Sequence, residues 1–72
     1  MTASLTKKHD ALNQVRLAAT VLAVAQPGFR GYTATRFREA NAHLVLAQMA
    51  AADTGATAQE ITAASEWNGM AL

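Results

Sequence analysis

The stretch QPGFRGYTATRFRE, residues 26–39, carries most of the side chains in this chain that are suited to binding an anion. It contains three of the six cationic residues and three of the four aromatic residues. Guanidinium groups make bidentate contacts with carboxylates and phosphates, and aromatic rings stack on nucleotide bases. The stretch therefore predicts a binding site for a negatively charged group, with these candidate residues: Phe29, Arg30, Tyr32, Thr35, Arg36 and Arg38.

The same stretch is also typical of a polar connector between two helices. In that interpretation Phe29 and Phe37 close the end of a helical bundle, while the arginines pair with Glu39 or Asp53. Half of all cations fall within nine residues, which favours a binding site. The sequence alone leaves both interpretations open, because the stretch matches no phosphate-loop or dinucleotide fingerprint.

Groups that could support catalysis or hold a metal are scattered. Ser4 and Ser65 lie in no nucleophile motif, and there is no cysteine. Glu39 and His43 are four residues apart on one helical face, with His9 as a possible third ligand. Such two-residue half-sites arise often by chance, so this spacing indicates a surface pair. We expect no enzymatic activity, no metal site and no cofactor.

Composition indicates one small domain, residues 1–72, with a thin core. Alanine occupies 18 positions, and the large apolar residues total only 19. A chain of this length buries only about 60 % of the surface that its unfolded form exposes, and without cysteine no disulfide can stabilise it. We therefore expect a second copy or a larger protein to complete the fold. The net charge of +1 predicts no general attraction to nucleic acid or membranes.

One apolar run, LAATVLAVA at residues 17–25, bears on localisation. It is shorter than the roughly 20 residues needed to cross a bilayer. Preceding lysines and the Ala-Val-Ala ending imitate a secretory signal, but Asp10, Asn13 and Gln14 interrupt the leading region. The sequence thus predicts a soluble, cytoplasmic protein with no membrane contact.

The first helix is predicted from about Leu5 to Gln26, with Ser4 or Thr6 as its N-cap. Pro27 and the glycine after it end the helix. Its core stripe comprises Leu5, Leu12, Val15, Ala19 and Leu22. A second stripe, on another side, comprises Leu17, Val21 and Val24. Two apolar stripes indicate burial on both sides, so the second stripe predicts an oligomer interface.

Two further helices are predicted, from about Thr35 to Asp53 and from about Ala58 to Asn68. Thr57 and Glu60 form a capping-box pattern before the third helix, and Trp67 is expected to anchor that helix on the others. The second helix carries a seam at heptad spacing: Phe37, Ala40, Leu44, Ala47 and Ala51. Gly55 breaks the chain before the third helix, and Gly69 is expected to end it. The prediction is an all-α, three-helix bundle with two longer helices and a short third one, completed by oligomerisation.

Taken together, these patterns predict a small helical interaction protein without catalytic activity. It would self-associate, dock on a larger protein, or do both, with arginines orienting an acidic or phosphorylated partner. Chains of this size and class resemble accessory or inhibitor proteins of bacteria and phages, some of which sequester nucleotide signals. A nucleotide-binding or small-anion-binding sponge is accordingly the first alternative.

DNA binding is the second alternative. The stretch TGATAQEITAASEWN, residues 54–68, resembles the first half of a helix-turn-helix unit. A recognition helix must follow such a half to enter the major groove, and only residues 69–72 remain in this sequence. The arginines also lie elsewhere, at residues 30–38. The sequence therefore disfavours nucleic acid as the partner.

Overall fold

Three α-helices make up the part of the protein that is described. The computed structural model describes residues 2–66, with the side chains of residues 7–66. In that range α1 spans Thr2–Val24, α2 spans Ala34–Asp53 and α3 spans Ala58–Ser65, without any strand. The predicted all-α class, with two longer helices and a short third one, is confirmed.

The start of α1 differs from the prediction. Because the helix already includes Thr2, Ser4 and Thr6 lie inside it, and their assignment as N-caps is wrong. The sequence does not define the first residue of this helix, because several residues that favour the N-cap position lie close together. Good helix formers follow each of them, so propensity does not separate the alternatives. At the other end, the helix finishes at Val24 rather than Gln26. Pro27 disfavours helical geometry at the residue before it.

Threonine hydroxyls cap the other two helices. Thr33, two residues before the predicted start of the second helix, is the N-cap of α2 and accepts a hydrogen bond from the Arg36 backbone N–H at 3.0 Å. Thr57 accepts from the Glu60 backbone N–H at 3.1 Å, and the Glu60 carboxylate accepts from the Thr57 N–H at 2.8 Å. The predicted capping box is therefore confirmed.

The core is built almost entirely from small side chains. Within residues 7–66, six of the eight buried apolar residues are alanine, and Val15 is the largest side chain that is fully buried. Both predicted core stripes are confirmed where they are described, since their members are buried or partly buried. The side chain of Leu5 lies outside the described residues. Alanine methyl groups bury little area, so helix contact alone provides modest stabilisation.

The third helix covers less than half of the hairpin formed by α1 and α2. At 1.5 Å per residue, α3 is about 12 Å long and α1 about 34 Å. Lys8 Nζ lies 2.9 Å from a Glu60 carboxylate oxygen, and Gln48 Nε2 donates to Ser65 Oγ at 2.7 Å. These contacts place α3 beside the first part of α1 and the last part of α2. The helix ends at Ser65, with Glu66 as its C-cap, rather than near Asn68. Predictions for Trp67 and Gly69 lie outside the described residues.

The Glu60 carboxylate has a role in both the cap and the packing of α3. The hydrogen bond from the Thr57 backbone, followed by that from Lys8, holds the pKa of Glu60 below its ordinary value. Both bonds favour the ionised form. The ionised Glu60 carboxylate thus links the start of α3 to α1 through Lys8.

Candidate partner-binding groove

A tight loop connects α1 to α2 and forms one wall of the candidate site. Successive turns are closed by the Phe29 N–H donating to the Gln26 carbonyl at 3.2 Å and the Tyr32 N–H donating to the Phe29 carbonyl at 3.1 Å. Gly28 and Gly31 adopt φ values of +100° and +83°, which residues with a Cβ rarely adopt. The loop is thereby folded back on itself, and both aromatic rings remain exposed.

A groove of about 400 Å³ lies between the end of α1, this loop and the start of α2. Its apolar lining comprises Val21, Val24, Ala25 and Ala40. Its polar lining comprises Arg30, Arg36, Glu39 and His43, with Gly31 beside them. We call this the cationic groove. It unites parts of two surfaces that the sequence predicted separately, the arginine-rich stretch and the second stripe of the first helix.

The Arg36 side chain lies over the loop at the rim of the groove. Its Nη1 is 3.5 Å from the Gly31 carbonyl oxygen, a distance at the limit of a hydrogen bond. A Cβ at Gly31 would come within 3.3 Å of the same nitrogen. Most of the donors of this guanidinium therefore remain free for a ligand.

The arginines of the stretch are not used in ion pairs within the described chain. Among residues 7–66 the structure has one ion pair, Lys8 with Glu60. The connector interpretation expects ion pairs from these arginines to Glu39 or Asp53. No such pair forms among residues 7–66. Two unpaired guanidinium groups, from Arg30 and Arg36, remain at the groove.

The charges that line the groove nearly balance. Arg30 and Arg36 supply two positive charges and Glu39 one negative charge, so these three side chains sum to +1. His9, considered as a third metal ligand, lies in a different cleft beside Leu12. No group of three or more potential metal ligands forms in the part of the chain that the structure describes. The groove thus suits a single carboxylate better than a metal ion.

The remaining candidate residues from the sequence lie outside the groove. Phe29, Tyr32, Thr35 and Arg38 are exposed but do not line it. Leu17 borders a separate shallow cleft. Conversely, Ala25, Glu39, Ala40 and His43 line the groove without having been proposed for it. The helical spacing of three and four residues that links Arg36, Glu39, Ala40 and His43 is the signal that identifies this face.

The groove is open to solvent. Of its lining residues, Ala40 is buried and Ala25 partly buried, whereas the valines and charged residues are exposed. Small-molecule sites usually enclose most of their ligand. A larger surface that lies across the groove fits this geometry better than a small enclosed ligand.

No protein-family model, curated protein or solved structure matches this chain. None of the helices within residues 2–66 is both long enough and apolar enough to cross a membrane.

Proposed function

We propose that this protein is a non-catalytic interaction module, and that its cationic groove binds an acidic, amphipathic segment of a partner protein. The observation that carries the proposal is the junction of an apolar surface, Val21 and Val24, with two arginines that form no ion pair within residues 7–66. Burial of the valines would supply affinity. Contacts from Arg30 and Arg36 to a carboxylate would fix the orientation of the segment.

The charge and shape of the groove favour a protein segment over a nucleotide. A nucleoside triphosphate brings several negative charges, and Glu39 would oppose them. Its phosphates would also remain in solvent, because the groove is open. A peptide carboxylate brings one charge, which matches the groove, and its apolar neighbours cover the valines. Nucleotide binding therefore ranks second, as the competing outcome of the test below.

DNA binding ranks below both. The cations Arg30, Arg36 and Arg38 lie on the loop and on α2. The helix that resembles part of a helix-turn-helix unit is α3, which carries no cation. Phosphate contacts would therefore not place α3 in a groove of DNA.

Self-association through Leu17, Val21 and Val24 remains a prediction. All three side chains are exposed, so they are accessible to a second chain. Val21 and Val24 also line the cationic groove, and pairing two copies there would bring together two surfaces with the same net charge of +1. We therefore assign this surface to an unlike, acidic partner. We propose that the module acts in the cytoplasm in an accessory or inhibitory role.

The test is selection of a library of random 16-residue peptides on the immobilised full chain. We expect selected peptides to combine Asp or Glu with Leu, Ile, Val or Phe. On titration with such a peptide, amide resonances of Val21, Val24 and Gly31 should shift and saturate. Arg36→Ala should weaken binding by about two- to fivefold, the range of a solvent-exposed ion pair.

Arg16→Ala is the matched control, because it removes the same charge from an exposed residue of α1 outside the groove. It should leave peptide affinity unchanged. Selected peptides without acidic residues, or equal binding by wild type and Val21→Glu, would contradict the proposal. Binding of ATP or pyrophosphate that depends on Arg36, without any selected peptide, would favour the nucleotide alternative.

A further inference from the structure

The second helix has two apolar seams, and the described helices cover one of them. The inner seam, from Phe37 to Ala51, packs in the bundle. An outer seam of Ala42, Val45, Met49 and Ala52 runs at spacings of three, four and three residues. All four are exposed, Val45 at 45 % and Met49 at 60 %. Heptad spacing is the pattern by which one α-helix packs along another, so the outer seam is suited to a further helix.

The cleft between the outer seam and α3 has an uncharged lining. Val45, Met49 and Ala52 border a cleft of about 390 Å³, whose α3 side is formed by Ala58, Ile61 and Thr62. Gln48 completes the lining, and none of these side chains ionises. A helix placed on the seam would therefore remove no lining charge from water, which is the main cost of burying polar surfaces.

The order of the seam residues allows two copies of this chain to pair through the same surface. The order alanine, valine, methionine, alanine is small, large, large, small, and it stays so when the direction is reversed. In an antiparallel pair related by a two-fold axis, Ala42 faces Ala52 of the other copy, and Val45 faces Met49. Such an interface uses the same patch on both copies, and it places the two largest seam side chains, Val45 and Met49, at its centre.

The charges at the two ends of α2 select the antiparallel orientation. Arg38 lies four residues before Ala42, and Asp53 lies four residues after Met49, so both flank the seam. Neither forms an ion pair with another residue of 7–66. In the antiparallel register, Arg38 lies three residues along the axis from Asp53 of the other copy, about 4.5 Å. A parallel pair would place Arg38 against Arg38 and Asp53 against Asp53.

We propose that this protein forms an antiparallel, two-fold homodimer through the outer seam of α2. A standard interface covers about 800 Å² on each partner, roughly a sixth of the 5128 Å² accessible surface. Val45, Met49 and Leu46, which neighbours Ala42 and Met49 on the helix, supply exposed large apolar side chains for it. The proposed dimer interface shares no residue with the cationic groove. Refuting one of the two proposals therefore leaves the other unaffected.

Sedimentation equilibrium of the full chain, from about 1 to 500 μM, measures the association. We expect the dimer mass at the upper concentrations. Met49→Glu should raise the dissociation constant by about 100-fold or more, as for a central interface residue, with an unchanged helical circular dichroism spectrum. Ala50→Glu, an exposed α2 position off the seam, is the matched control and should leave association unchanged. A monomer at every concentration would overturn the proposal.

The orientation has its own test, because the chain contains no cysteine. Ala42→Cys and Ala52→Cys proteins are prepared separately, mixed and treated with a short bis-maleimide cross-linker. We expect covalent dimers in the mixture and none from either protein alone, since like positions lie about 15 Å apart along the axis. Cross-linking of each protein with itself would overturn the antiparallel register.

Exchanging the charges of Arg38 and Asp53 tests whether these two side chains pair between the copies. Arg38→Glu should weaken association several-fold, because it places two carboxylates near each other at each end of the interface. Adding Asp53→Arg to the same chain should restore it. A double variant as weak as the single one would contradict the end-to-end pairing of these charges.

Discussion

The packing of α1 is tested most directly by the same substitution at a buried and at an exposed valine. Val15 is fully buried, and Val21, on the same helix, is 49 % exposed. Both positions lie inside α1, so Val→Ala brings the same gain in helix propensity at each, about 0.6 kcal/mol. The difference between the two variants therefore measures burial alone.

The expected difference follows from the exposed fractions. Removing two fully buried methyl groups costs about 1.6 kcal/mol at about 0.8 kcal/mol each, and Val21, half buried, costs about half of that. The cavity left at Val15 adds up to about 1 kcal/mol. Val15→Ala should therefore be less stable than Val21→Ala by about 1 to 2 kcal/mol. Total stability for a domain of this size is only about 4 to 11 kcal/mol.

Urea unfolding followed by circular dichroism gives both free energies of unfolding, and thermal unfolding gives a second measure. In a domain of this size the expected difference corresponds to a separation of roughly 5 to 15 °C in Tm. The measurement is made at one low protein concentration, so that association does not contribute. Equal stability of the two variants would show that Val15 does not form the centre of the core, and the helix arrangement described above would be refuted.

Three further perturbations act on the caps and the loop. Thr57→Ala should cost about 1 kcal/mol by removing the capping hydroxyl of α3, as measured by urea unfolding; no loss would show that the capping box does not hold α3 in solution. Because the pKa of Glu60 is lowered in the folded state, its contribution is present above its ordinary pKa and is lost as the pH falls through the lowered value. The free energy of unfolding, measured between pH 7 and pH 2, should show this loss in the wild type but not in Glu60→Gln. The same dependence on pH in both proteins would contradict the role of Glu60. Gly31→Ala and Gly28→Ala should each destabilise, because both glycines adopt a positive φ that residues with a Cβ rarely adopt; unchanged unfolding free energies in both variants would contradict the described turns of the loop.

The class, number and approximate bounds of the helices follow from the sequence alone. Local signals suffice for them, because the heptad spacing of Ala40, Ala47 and Ala51 and the Thr57 capping box act within one or two helical turns. The start of α1 could not be predicted, since several capping residues compete there and nothing local separates them. The small volume of the core could also be predicted, because alanine is the most frequent apolar residue in the sequence.

The candidate site depended on tertiary structure. Arg36 and Val21 lie on different helices, and only the packing of α2 against α1, with the loop folded back at Gly31, brings them to one groove. The same packing separates Arg38 from that groove. Sequence periodicity identifies the faces of each helix, but it does not determine which faces meet, because that depends on the angle and register at which whole helices pack.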